Sequence, residues 1–228
     1  MALVRVARIC GHSFLTAPIN ENSVVIDLGL NSGAFSREII RRFGCRVIGV
    51  EPVPSLFAAL PAEERLVAEA RAITADGSGV VLHLNRTKCA TILHELTEDG
   101  SEEVEVAGTT IQDLLDRHDI RRAALAKVDI EGAELAMITA MTQSTAQRFD
   151  QFTIEFHDFL NSDQRPAVRQ AKQRLKSFGF WCVGFSRGNS ADVLFINEEM
   201  CPLSWSTRAL VIARYKYARG AVRVFNRL

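Results

Sequence analysis

Four short stretches carry residues that could do chemistry where a buried strand gives way to a loop. The first is Asp27-Leu28-Gly29-Leu30-Asn31-Ser32-Gly33. Its glycines let backbone approach a ligand closely, and the helix that follows offers free N–H groups. About 20 residues further on comes the second, Val50-Glu51-Pro52, whose carboxylate can accept hydrogen bonds from both hydroxyls of a ribose. The third is Lys127-Val128-Asp129-Ile130-Glu131-Gly132-Ala133-Glu134, and the fourth is Ile154-Glu155-Phe156-His157-Asp158.

Two cofactor classes use a glycine loop followed by an acid. Dinucleotides require G-x-G-x-x-G with the pyrophosphate on a helix N-terminus. Here Asn31 stands between Gly29 and Gly33, and the full fingerprint is absent. S-adenosylmethionine carries no phosphate but has an ammonium and a sulfonium, and Asp27 at the start of the loop suits those cations. The plain alternative is an ordinary strand–helix turn in an α/β domain that binds no nucleotide.

In the third stretch, alternate residues of a strand share a face, so Lys127, Asp129 and Glu131 are expected to point one way. Charges ending a buried strand must be paired or open onto a cleft. A structural network, with Lys127 pairing Asp129 and Glu131 or Glu134 capping the next helix, is the favoured reading for the two glutamates. Asp129 is expected in the active site, with its partner (cofactor, acceptor or metal) left open. His157 would stand at the same sheet edge, where a histidine could act as general base; a strand-end histidine that only hydrogen-bonds is the alternative. Asp129, Glu131, His157 and Asp158 could also offer ligands to a divalent metal, but no tight ligand spacing is visible and none is expected. His12, His83, His94 and His118 have no comparable setting.

These groups need a scaffold. Ser23–Gly29 reads as a buried strand, Gly33–Phe43 as a helix stopped by Gly44, and Arg46–Glu51 as a second strand punctuated by prolines. Ser55–Leu60 is a short helix and Leu66–Ile73 a third strand. Val80–Leu84 and Val104–Ala107 look like an inserted strand pair. Helix Thr110–Arg117, strand Ala123–Ile130, helix Ala133–Met141, strand Gln151–Phe156 and helix Pro166–Ser177 continue the alternation, and Phe180–Phe185 and Asp192–Ile196 close it. Alternating β and α elements predict a mostly parallel sheet with helices on both faces, and the closing pair predicts one antiparallel strand. Residues 1–22 read as a poorly patterned lead-in, 23–200 as the cofactor-binding domain and 201–228 as a basic amphipathic C-terminal helix.

The chain has 228 residues, 47% of them hydrophobic, enough for one sizeable core. Lys+Arg and Asp+Glu both number 27, so a surface built to grip nucleic acid is not expected. The five cysteines (Cys10, Cys45, Cys89, Cys182 and Cys201) form no C-x-x-C pair, which argues for reduced thiols and a cytoplasmic protein. The first ten residues lack the apolar stretch of a secretion signal. Residues 203–228 carry six basic residues and no acid. This tail either touches an anionic membrane or acidic partner through its basic face, or packs its apolar side on the domain or a second subunit; the second use is the commoner.

Taken together, Asp27-x-Gly29-x-Asn31-x-Gly33, Val50-Glu51-Pro52, the Lys127–Glu134 block and Ile154–His157 resemble the FkbM-type methyltransferases. The likeness runs from about Val24 to Asn197, and K-x-D-x-E-G-x-E is its most specific part. It implies a seven-stranded Rossmann-like sheet, S-adenosylmethionine as donor and S-adenosylhomocysteine as product. Methyl transfer would go usually to oxygen, on a small-molecule or glycan hydroxyl. It further implies that Asp27, Gly29, Asn31, Ser32 and Gly33 line the methionine end of the donor and that Glu51 holds its ribose. Ala70-Arg71-Ala72-Ile73, and Ala72 within it, would border the adenine, with Asp129 beside the reactive methyl. A binding or regulatory protein on a decayed scaffold is the alternative, and the intact loop, Glu51 and Asp129 argue against it. The acceptor would be named by residues 85–108 and the tail, which carry no readable pattern.

Overall fold

The computed structural model of the chain describes residues 5–84, 90–91, 102–159, 161–186 and 189–213. Two short strands, β1 (Val6–Ile9) and β2 (His12–Leu15), open it as an antiparallel hairpin. Their turn is Cys10-Gly11, both at positive φ (45° and 93°), the two-residue geometry whose twist suits paired strands. The expectation of an unpatterned lead-in is corrected here. Strands of four residues give too short a period to read, and what fixes them is distant in sequence. Leu15 exchanges hydrogen bonds with the Gln151 side chain (2.8 and 2.9 Å), and Ser13 gives its N–H and Oγ–H to the buried Asp192 carboxylate (2.9 and 2.7 Å).

Then β3 (Val24–Leu28), α1 (Ala34–Phe43), β4 (Arg46–Val50), α2 (Pro54–Ala58) and β5 (Leu66–Glu69) alternate. Left-handed Gly33 and Gly44 bracket α1, and the Gly44 N–H closes the helix on the Ile40 carbonyl. Its face of Phe35, Ile39 and Ile40 is buried, while Arg37, Arg41 and Arg42 are exposed. The strand expected over Leu66–Ile73 stops at Glu69, which Arg117 and His118 hold by hydrogen bonds of 2.8 and 2.7 Å. The chain bends there, and β6 (Ala72–Ile73) leaves the main sheet.

β7 (Val80–Leu84), β8 (Ala90–Thr91) and β9 (Glu102–Val106) form a separate antiparallel sheet, which adds a third strand to the expected inserted pair. β10 (Gly108–Thr109) returns to pair with β6 in parallel. Next come α3 (Ile111–Arg117), β11 (Leu125–Val128), α4 (Glu134–Ala140), α5 (Gln143–Ala146), β12 (Gln151–Ile154), α6 (Arg165–Ser177), β13 (Phe180–Gly184), β14 (Val193–Asn197) and α7 (Trp205–Val211). Most of the segment that should read the acceptor (residues 85–89 and 92–101, with His94) and the tail from residue 214 on, with Arg214, Lys216, Arg219, Arg223 and Arg227, lie outside the described residues.

The main sheet has seven strands in the order β13-β14-β12-β11-β3-β4-β5, and only β14 runs antiparallel to its neighbours. This is the Rossmann-like α/β architecture. Alternate strand residues feed two cores: Ile26, Ile48 and Ala126 pack on one face with α3, α4 and α6, and Val25, Val47 and Leu125 pack on the other with α1 and the hairpin. The chain runs outward from β3 through β4 to β5, then crosses back to β11 on the other side of β3. In open sheets of this kind, ligands bind at the carboxyl ends of the strands flanking such a switch point. Among the described residues no helix is long and apolar enough to cross a membrane.

Candidate active site

The switch point is held by one buried cation. The side chain of Lys127 in β11 is only 5% exposed, and its ammonium stands 3.3 Å from Asp27 Oδ1 and 3.6 Å from Asp129 Oδ2. It also donates to the carbonyls of Leu28 and Gly29. Burial works against the charge, but the two aspartates outweigh it and hold its pKa above the ordinary lysine value. Asp27 is fully buried, and its other oxygen accepts from Ser36 Oγ–H at 2.6 Å. The expectation that Asp27 faces the donor's cations is therefore corrected. The residue that ends β3 points inward, and its charge is spent on Lys127, so it shapes the loop from beneath.

Gly29, at φ 85°, runs directly against the next loop: a Cβ there would stand 1.9 Å from the Asp129 carbonyl oxygen. Asn31 also lies in the left-handed region (φ 51°), where asparagine is tolerated. Its N–H donates to Glu51 Oε2 at 2.7 Å, and the Val53 N–H donates to Glu51 Oε1 at 2.9 Å. The acid is thus clamped with one lone pair per oxygen committed. Burial raises the Glu51 pKa, and these two backbone donors only partly offset it. Ser32 is exposed and Gly33 caps α1; neither joins the cleft wall.

Between these loops opens a cleft. Gly29, Asn31, Glu51, Ala72, Asp129 and Glu131 are on its wall. Val53, Leu56, Ile73, Leu82 and Ile130 make it apolar around the Glu51 end, and Leu82 comes from the inserted sheet. A buried carboxylate amid apolar walls matches a nucleoside, with its flat base on the apolar side and its ribose hydroxyls on Glu51. The donor set therefore fits S-adenosylmethionine.

Also on this wall, Asp129 is ringed by basic side chains. Burial pushes its pKa up, but His12, Lys127 and His157 outweigh this and hold it at about 2. His12 comes from β2, is 1% exposed, and turns Nε2 toward Asp129 Oδ2 at 3.6 Å. Leaving His12 aside as a residue without a setting is thus corrected; no local pattern marks it, since the hairpin carries it there. His157 Nε2 lies 3.7 Å from Asp129 Oδ1 and 3.3 Å from Glu131 Oε2, while its Nδ1 lies 3.1 Å from Glu134 Oε1. Burial lowers its pKa, but the two glutamates overcome that and push it up to about 10.

The two glutamates divide their roles. Glu134, 1% exposed, accepts from the N–H groups of Ile130 and Gly132 in the loop ahead of α4; it braces that loop and is not the helix cap expected of the pair, since α4 has no side-chain cap. Glu131 takes a left-handed conformation (φ 51°), lines the cleft and faces His157. Its alternation with Lys127 and Asp129 was the available signal. Glu155 is half-buried behind Asp129, and burial and that aspartate raise its pKa. Asp158 does not join this group: its carboxylate accepts from Ser190 N–H and Oγ–H.

The Rossmann-like sheet thus carries at its switch point an apolar cleft, a clamped acid and an acid–imidazole cluster. The sequence matches the Methyltransferase FkbM domain over residues 27–182, and the chain belongs to that family. Its methyl donor is S-adenosylmethionine. A search of curated proteins by sequence returns no match. Among solved structures the fold is similar to the METTL16 methyltransferase domain at 10% identity (TM-score 0.44); the match covers 76% of this chain but spans only 58% of that one. It is also similar to fibrillarin of Aeropyrum pernix with natively bound S-adenosyl-L-methionine, at 11% identity (TM-score 0.43; 84% of this chain, 81% of that one). Magnesium protoporphyrin IX methyltransferase of Synechocystis PCC 6803, with bound SAM, matches at 10% identity (TM-score 0.40; 78% and 69%).

Proposed function

We propose that the protein transfers a methyl group to a hydroxyl oxygen of a sugar, glycan or related natural product. The observation that carries this reading is the cluster of Asp129, Glu131 and His157, of which the two acids line the cleft. When bound, the donor supplies a methyl carbon activated by a positively charged sulfur. A hydroxyl that attacks this carbon must lose its proton as the C–O bond forms, so it needs a proton acceptor beside it. The cluster provides one.

The role expected for His157, a plain base, is revised. Between Glu131 and Glu134 the imidazole already holds a proton. The first acceptor of the hydroxyl's proton is then the Glu131 carboxylate, with His157 sharing its charge at 3.3 Å. Asp129 keeps its negative charge and orients the imidazole face. Phe159, 44% exposed and with its ring 5.4 Å from that of His157, offers an apolar face to the acceptor. Clamped groups on rigid strand ends supply positioning, which accounts for much of the rate in such displacements.

The test is calorimetric titration with S-adenosylmethionine and S-adenosylhomocysteine, with NADH as control, followed by a screen of hydroxylated and aminated acceptors. Binding of both sulfur ligands together with methylation of a hydroxyl supports the reading. Methylation confined to amines would overturn the choice of oxygen. Failure to bind either sulfur ligand would favour a binding protein on a decayed scaffold.

A further inference from the structure

We propose that Asp129, Glu131 and His157 form a divalent-cation site on the cleft wall, one ion per chain. The inference rests on the reading above for what the ion would do, since the ion would meet the acceptor oxygen there.

Geometry is the first argument. One donor atom from each of the three residues lies within 4.8 Å of the other two. His157 Nε2 stands 3.3 Å from Glu131 Oε2 and 3.7 Å from Asp129 Oδ1. Ligands about 2.1 Å from a small divalent ion and at right angles to each other stand about 3 Å apart, so the three groups need only close in slightly.

The support behind the ligands is the second argument. A metal-bound histidine ordinarily gives its other ring N–H to a carboxylate, which sets the ring orientation and frees the ligating lone pair. Glu134 Oε1 stands 3.1 Å from His157 Nδ1 and is itself fixed by the N–H groups of Ile130 and Gly132. Asp129 is oriented in the same way. Its Oδ2 faces His12 and Lys127, each at 3.6 Å, which leaves Oδ1 turned toward His157.

The third argument is His12, whose side chain is aimed at the same aspartate and is 1% exposed. Its Nδ1 has no hydrogen-bond partner among the described residues. With Glu155 it makes a second donor group around Asp129. The acids Asp129, Glu131, Glu134 and Glu155 therefore converge on two imidazoles, while the nearby ammonium of Lys127 is shared with Asp27. A pocket so rich in carboxylates attracts a cation. The outer group is the one that opens on the cleft, because Asp129 and Glu131 line it. An ion there keeps coordination positions free for an acceptor hydroxyl and would ease release of its proton. One imidazole with two carboxylates suits Mn²⁺ and neighbouring first-row ions.

The experiment is titration of chelator-treated protein with Mn²⁺, read by the loss of the free-ion EPR signal and by calorimetry, in the absence of donor and acceptor. The expected result is one bound Mn²⁺ per chain, with affinity falling about 10–100-fold in Glu131→Gln and in Glu134→Gln. Glu131 is half-exposed, so its variant keeps the fold, and circular dichroism checks both. An unchanged free Mn²⁺ signal at millimolar protein would overturn the site. So would variants that bind as the wild type, or loss of the ion in His12→Gln with Glu131→Gln unaffected, which would move it to the rear group. A protein that binds S-adenosylhomocysteine but no Mn²⁺ loses this inference and keeps the functional reading; one that binds Mn²⁺ but no sulfur ligand does the reverse.

Discussion

Lys127 and Asp27 bring an ammonium and a carboxylate to 3.3 Å across the seam between β11 and β3, with side-chain exposures of 5% and 0%. This pair joins the two strands whose ends form the cleft. Removing one partner leaves the other charged and buried, which costs about 3–5 kcal/mol. Lys127→Met should therefore lower stability by about that amount in urea unfolding. Lys127→Met combined with Asp27→Leu should recover part of the loss. A single variant as stable as the wild type would show that the pair is not a structural bolt.

Glu51 gives a prediction in ligand affinity. Glu51→Ala should weaken S-adenosylhomocysteine by about 1–3 kcal/mol, the scale of hydrogen bonds to a charged group. The sign of the pH dependence follows from burial, which raises the pKa of free Glu51 above its usual 4.5. Ribose hydroxyls donate to the ionised form, so binding lowers that pKa. Affinity should rise with pH through the free-protein value and level off above it. The pH-dependent step should vanish in Glu51→Gln; an identical profile in that variant would mean the ribose lies elsewhere.

At Gly29 the chain has no room. A Cβ would stand 1.9 Å from the Asp129 carbonyl oxygen at a φ of 85°. Gly29→Ala must push the two cleft loops apart. It should cost stability in thermal unfolding and weaken the sulfur ligands more than Gly11→Ala does, where nothing lies within 4 Å. Equal behaviour of the two variants would refute the close approach.

Asp192 anchors the hairpin that carries His12. It accepts from Ser13 N–H, Ser13 Oγ–H and Arg8 Nε. Asp192→Ala should cost about 2–3 kcal/mol, because two buried donors lose a charged acceptor. Hydrogen exchange should rise in residues 6–15, and unchanged protection there would show that Gln151 alone holds the hairpin.

Burial pushes the Cys45 and Cys201 thiols up to about 11, whereas Cys10 is exposed in the hairpin turn. Only the thiolate attacks alkylating agents. Iodoacetamide at pH 8 should label Cys10 readily and Cys45 only after unfolding, as read by peptide mass spectrometry. Early labelling of Cys45 would mean that the α1 end opens readily.

Much of this molecule is legible in the chain because it is local. The short continuous apolar runs of β3, β4 and β11, the glycine punctuation of α1 and the approximate spacing of Gly29, Glu51, Asp129 and His157 are fixed by backbone preferences and near neighbours. Alternation of β and α then leaves few topologies, and those few place strand ends together at one switch point. Position along the strand was likewise enough to put Glu51 at the end of β4, on the cleft wall.

What the tertiary structure decided depends on partners distant in sequence. Whether Asp27 faces the cleft or the core was settled by Lys127 on the adjoining strand, because a buried carboxylate turns to the nearest cation. His12 reached Asp129 only because Gln151 and Asp192 pin a hairpin too short to announce itself. The left-handed turn at Glu131 separated it from Glu134, so that one acid faces the cleft and the other braces the histidine between them.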